Sequence, residues 1–337
     1  MRKLCFLILL CLPLLSVQSQ KSFELSRSTK RYNNSLYGEL QFIDSRTNPE
    51  DMGFVQTTMF NKYTPIAVEK PFSDQFNSLF LSLVDTIAQY RTMLVQLRDI
   101  KFREETKATS ERGFCNIRIS LYEKKDNAYH FINTIDTIIM VKAMDVTGKL
   151  LDAVSKTIAS QIGKNLTRLP EDYSMPFTMD DLATIDNLEK NSIPIYNTDK
   201  LTDGLYSDFR SFANQTPTHT TMQVKREKGD IKEIKIVNPE KPDKWKKIKS
   251  KDYYVVITEG NPFLIHKEGY FPIIFENDNY YVRTYMNVPQ SNTGIQIGLA
   301  VGFGMIGGFF GMLTATENSI PVTAKLDHLN GDFIIQP

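Results

Sequence analysis

One stretch near the C-terminus limits how this chain can fold. Residues Gly294–Ala315 read GIQIGLAVGFGMIGGFFGMLTA, with no charge in 22 residues and 7 of the chain's 17 glycines. As a helix, the run would be about 33 Å long at 1.5 Å per residue, enough to cross a bilayer. Small residues then recur four apart, as at Gly294, Gly298 and Gly302, at Ala300, Gly304 and Gly308, and at Gly307 and Gly311. That glycine-zipper spacing favours close helix packing or self-association. As a strand, Ile295, Ile297, Leu299, Val301 and Phe303 alternate with small or polar residues up to Gly304. The period-2 pattern and the lack of flanking basic residues argue for an element buried against its own β domain. Both readings make the run a packing element, with lipid, another copy or its own fold as partner.

The other end of the chain sets the compartment. Arg2 and Lys3 precede an apolar core, Leu4 to Leu15, and Ser16–Ser19 offers small residues for cleavage. This is the pattern of an export signal, so 1–20 is expected to be removed. Export places the protein in the periplasm, at the outer membrane or on the extracellular face. Removing Arg2 and Lys3 from 40 basic residues leaves 38 against 39 acidic ones, a balance of −1. Nothing in that balance attracts nucleic acid. Cys5 and Cys11 leave with the signal, so Cys115 has no intramolecular partner and is expected to be a buried thiol in a strand. The sequons at Asn33, Asn165 and Asn214 matter only in a eukaryotic secretory pathway.

Between these ends the periodicity predicts an α+β chain. Residues 21–55 read as an irregular lead-in with a short strand at 36–43. Residues 56–168 read as a domain ordered helix, three antiparallel strands, helix. Phe76, Leu79, Phe80, Leu83 and Ile87 form the first helical stripe, with Ser73 as the expected N-cap. Met93, Val95 and Leu97 share one face of the next segment, then the phase shifts to Ile100 and Phe102, the signature of a β-bulge. Alternation at 114–122, a turn at 124–127 and a strand at 129–141 predict a hairpin. Asp145 is expected to cap the second helix, which carries Leu150, Leu151, Val154, Ile158 and Ile162.

Residues 169–202 read as a linker with one short helix, opened by a capping box at Thr178–Asp181. From 203 to 337, short Tyr-, Ile- and Val-rich strands separated by turns predict a β-rich meander or sandwich containing the Gly-rich segment 294–315.

No catalytic, cofactor-binding or metal-binding residue is expected. His130, His219, His266 and His328 are far apart in sequence and lack metal-like spacing. Gly302, Gly304 and Gly307 match a G-x-G-x-x-G pattern but no β-α-β unit surrounds them. The basic run 241–251 carries Lys244, Trp245, Lys246 and Lys247, a candidate surface patch for an anionic membrane, weighed against a solvated hairpin loop.

Residues Gly204, Tyr206, Phe209, Phe212, Asn214 and Pro217 form a G-x-Y-x-x-F-x-x-F-x-N-x-x-P element, and Asp327 with Gly331 forms a closing Asp-x-x-x-Gly piece. On its own residues the element reads as a Gly turn, then a Ser207-capped helical turn with Phe209 and Phe212 inward. This arrangement resembles uncharacterised exported cell-envelope proteins of Bacteroidota, over residues 203–337. The resemblance implies an envelope location and transfers no catalytic residue. The expected function is therefore a non-catalytic envelope protein that binds or scaffolds another envelope protein or a membrane surface, with self-association through the glycine zipper. The alternative is an exported hydrolytic enzyme or accessory subunit whose site forms only in the fold.

Overall fold

The computed structural model describes residues 21–57, 62–85, 88–107, 110–287 and 319–335. Residues 1–20, expected to be an export signal, and Gly294–Ala315 lie outside the described residues. Among the described residues, no helix is long and apolar enough to cross a membrane. The protein mixes α and β, and strand exceeds helix at about 48% against 21%, so sheets set the architecture.

The first half begins with β1 (Lys21–Ser22), β2 (Tyr37–Asp44), β3 (Phe54–Thr57), β4 (Lys62–Ala67) and α1 (Phe72–Leu83). It continues with β5 (Arg91–Lys107), β6 (Ser110–Lys125), β7 (Ala128–Ala143) and α2 (Thr147–Asn165). Strands order as β2-β5-β6-β7, with β2 parallel to β5 and the rest antiparallel. The parallel edge arises because the chain crosses back through α1 before entering β5, the connection parallel strands require.

The 21–55 segment is thus part of the first core. It supplies a fourth strand, and Phe23, Leu25 and Tyr37 are buried. Phe23 sits 5.0 Å from the Phe102 ring, and β1-β4-β3 forms a small sheet beside it. Isolated buried residues of this kind carry no periodicity, which is why the stretch reads as irregular.

One face of the four-stranded sheet is covered by both helices. Phe76, Leu79, Phe80 and Leu83 from α1, with Leu150, Val154, Ile158 and Ile162 from α2, cluster with Met93, Val95, Leu97, Ile100 and Phe102 of β5. Cys115 is buried in this cluster. The expected caps differ. Pro71 occupies the N-cap position of α1, because its extended backbone turns the carbonyl into the helix; Ser73 lies inside the first turn. Val146 is the N-cap residue of α2, and its N–H donates to Glu111 rather than Asp145 serving as cap.

The linker carries α3 (Met179–Ala183), α4 (Ile185–Asn191) and α5 (Pro194–Asn197). Thr178 and Asp181 form the expected reciprocal capping box of α3. Next come β8 (Gly204–Tyr206), α6 (Phe209–Ala213), β9 (Met222–Glu227), β10 (Asp230–Asn238) and β11 (Lys241–Lys247). Asp208, not Ser207, caps α6 through a reciprocal pair with Ser211, since Asp208 has the extended backbone that aims a carboxylate at the N3 amide. Phe212 is buried at 0% exposure, while Phe209 lies part-buried against Tyr254.

The strands β12 (Val255–Thr258), β13 (Asn261–His266), β14 (Gly269–Glu276), β15 (Asn279–Asn287), β16 (Ser319–Leu326) and β17 (Phe333–Ile335) close the chain. With β8 they form a seven-stranded antiparallel sheet in the order β17-β16-β15-β14-β13-β12-β8. The β12–β13 and β14–β15 hairpins turn on Glu259-Gly260 and Asn277-Asp278, all four at positive φ, as tight two-residue hairpins favour.

Candidate functional site

The second face of the four-stranded sheet, opposite α1 and α2, holds the site. Regular alternation along β5 would point residue 99 into the helix-covered core. Pairing runs Leu97 with Ile119 but Asp99 with Arg118, so one extra residue bulges between them. Two consecutive side chains, Arg98 and Asp99, therefore face outward. This is the phase shift visible in the sequence.

That outer face divides into three zones. Nearest the hairpin turn, Leu94, Tyr122 and Tyr129 pack beneath Leu182 and Phe177, so α3 covers an apolar patch. Next comes an ion-pair seam. Buried Arg98 donates to Asp186 and Glu189 of α4, each at 2.5 Å, and His328 Nε2 lies 2.8 Å from Glu189. Burial alone would raise the Glu189 carboxyl, but hydrogen bonds from Arg98 and His328 hold it near 2. Asp186, Glu189 and His328 bring ligand atoms within 4.8 Å of one another, a spacing a metal could use. The guanidinium already fills the position between both carboxylates, so the arrangement reads as a structural pairing of α4, the sheet and residue 328.

Beyond the seam lies a cleft of about 300 Å³. Its floor is one rung of the sheet, Asp99, Arg118 and Asp136, side by side on β5, β6 and β7. The next rung adds Asn116 opposite Ile138. The roof is the loop from β16 to β17, which contributes Asp327, Asn330 and Asp332, together with Ile334 of β17. The loop is shaped by its own bonds. Asp327 accepts from the Leu329 N–H, Asn330 accepts from the Asp332 N–H, and Gly331 donates to the Asp327 carbonyl. It is held down by Arg118, which donates to Asp136 at 3.0 Å and Asp327 at 2.8 Å, and by Asn330, which donates to Asp136.

Arg118 is thereby spent on two carboxylates, leaving two others. Neither the Asp99 nor the Asp332 carboxylate accepts a side-chain or backbone hydrogen bond among the described residues. Asp99 is half-buried and opens to the cleft. Desolvation pushes its carboxyl up to about 6, with Arg118 and Lys101 lowering it and Asp327 and Asp136 reinforcing the rise. Burial raises Asp332 as well, aided by Asp327 and Asp136.

The residues singled out from sequence fall elsewhere. Gly294, Gly298, Gly302, Gly304, Gly308 and Gly311 lie outside the described residues. Lys244, Trp245, Lys246 and Lys247 are exposed on β11, a strand of the sheet β11-β10-β9 rather than a hairpin loop. Lys247 pairs with Glu233 at 3.4 Å. His130 and His266 are buried away from the cleft. The cleft residues come from four distant segments, so no linear motif announces them. The one local signal is the phase shift around Asp99.

No family model matches the chain, and no curated protein matches it. A crystal structure of a Xanthomonas campestris protein assigned to the family model DUF330 is similar over 43% of this chain and 95% of that one. The identity is 8% and the TM-score 0.29, a likeness too slight to carry an argument.

Proposed function

We propose that this is an exported, non-catalytic cell-envelope protein that binds another envelope component through the carboxylate-lined cleft. The observation that carries the binding reading is Asp99: a half-buried carboxylate, open to a cleft and without a hydrogen-bond donor among the described residues, is costly unless a ligand completes it. Export is supported by the basic n-region, apolar core and small residues of 1–20. Membrane association or close packing through Gly294–Ala315 is supported by its uncharged length and its small residues four apart. The envelope location accords with the resemblance carried by residues 203–337.

A second reading, an exported hydrolase, is favoured by one feature of the same cleft. A carboxyl near 6 beside carboxylates neutralised by Arg118 is the pairing of protonated and ionised acids that general acid–base chemistry uses.

Fractionation of the natural host, with the full chain and with a chain lacking residues 294–315, tests export and membrane association. Recovery of both in the detergent-free soluble fraction removes the membrane element, and recovery in the cytoplasm removes export. Co-sedimentation with purified envelope, for wild type and Asp99→Asn, tests the cleft; equal retention of both excludes it as the binding site. Hydrolysis of an ester, amide or glycoside by the wild type that Asp99→Asn abolishes would establish the second reading.

A further inference from the structure

We infer that the cleft takes a protonated amine carried on a small hydroxylated body, an amino sugar being the simplest case. This rests on the cleft being the binding site proposed above.

The charge arrangement points to the amine. Four carboxylates, Asp99, Asp136, Asp327 and Asp332, line the cleft with one cation, Arg118. Arg118 is occupied by Asp136 and Asp327. The other nearby cation, Lys101, is paired with Asp51. Asp99 and Asp332 are left facing the space without donors, and an ammonium supplies both the charge and the N–H groups they lack. The guanidinium clamp would keep the other two carboxylates from competing for it.

The size and walls point to the body. The cleft's 300 Å³ is about ten times the share of one water in the liquid, far more than a bare ion fills. Asn116 brings an amide that both donates and accepts, suited to hydroxyl groups, while Asn330, already donating to Asp136 and accepting from the Asp332 N–H, adds only the capacity those bonds leave. Ile138 and Ile334 give apolar surface on which the C–H face of a ring can rest. A polyol alone would leave two carboxylates without a cation, and a metal ion alone would leave the amides and apolar walls unused.

Calorimetric titration of the mature chain with glucosamine, glucose, N-acetylglucosamine and calcium chloride tests the inference. Glucosamine should bind, with glucose and N-acetylglucosamine at least about tenfold weaker, the loss expected when one charge-assisted hydrogen bond is missing. Asp99→Asn and Asp332→Asn should each weaken glucosamine by about tenfold or more while thermal unfolding remains cooperative. A glucosamine oligomer binding more tightly than the monomer would identify a polymer as the source; equal affinity would identify the free sugar. Glucose binding as well as glucosamine, calcium displacing it, or no probe binding overturns the inference. If no probe binds but Asp99→Asn still loses envelope co-sedimentation, only the ligand class is wrong. If co-sedimentation also survives that substitution, the binding reading beneath it fails.

Discussion

Gly331 receives the ring of Phe209 so closely that a Cβ at position 331 would lie 2.3 Å from the ring's Cγ. The Tyr254 hydroxyl fixes the same point by donating to the Gly331 carbonyl at 2.7 Å. The aromatic element 204–217 and the Asp-x-x-x-Gly piece, more than a hundred residues apart, are therefore two sides of one contact. It anchors the loop that roofs the cleft.

Replacing Gly331 with Ala should destabilise the protein by about 2–4 kcal/mol, combining left-handed strain at φ +82° with overpacking against the ring. Urea denaturation measures it. Phe209→Ala in the same chain should recover part of the loss, because it opens the space a methyl needs. Additive losses in the double variant would mean the two residues do not share a contact.

Arg118 joins the sheet to the roof through Asp136 and Asp327, and its side chain is 12% exposed. Burial opposes its charge, but Asp327 and Asp136 more than restore it. Arg118→Met should cost about 3–5 kcal/mol, since it leaves two carboxylates facing each other without a cation. A denaturation midpoint within error of wild type would refute this.

Glu104 gives stability a definite pH slope. It is buried, and desolvation pushes its carboxyl from the ordinary 4.5 to about 7, with the Gln56 N–H only partly opposing. The native state thus holds this proton more tightly than the unfolded chain. The favourable contribution is complete below pH 4.5 and is lost as pH rises to 7. Glu104→Gln should remove on the order of 2–3 kcal/mol of that loss and flatten stability between pH 5 and about 8. Asp99, pushed to about 6, acts in the same direction, so Glu104→Gln flattens the profile only in part.

Burial also raises the Cys115 thiol well above its usual range. In a chain beginning at residue 21, a thiol reagent should therefore leave native Cys115 unmodified over hours and react with one thiol after unfolding. Rapid native labelling would contradict the buried placement.

The parts of this architecture set by local chemistry were readable in the sequence. The stripes at Phe76–Leu83 and Leu150–Ile162, the Thr178–Asp181 box and the Glu259-Gly260 turn each depend on neighbours a few residues away. The parallel pairing of β2 was not readable, because a parallel edge is decided by a partner some fifty residues distant. Helix starts differ from the sequence pattern where backbone geometry at Pro71 and Val146 outweighs a nearby Ser or Asp. The cleft was hidden for a related reason. Asp99, Arg118 and Asp136 become neighbours only through strand register, and Asp327 and Asp332 join them only when the second half docks.

The extra residue in β5 makes the cleft depend on parity as well as on side-chain identity. Straightening the bulge with every residue kept would impose strict alternation and rotate everything after Arg98 by one position. Ile100 and Phe102 would then turn toward solvent, while Asp99 and Lys101 would turn into the helix-covered core. Substitution at any one cleft position alters one group, but straightening this one bulge would invert the rest of the strand. Descendants of this chain should therefore tolerate changes of residue type here far better than a change of register.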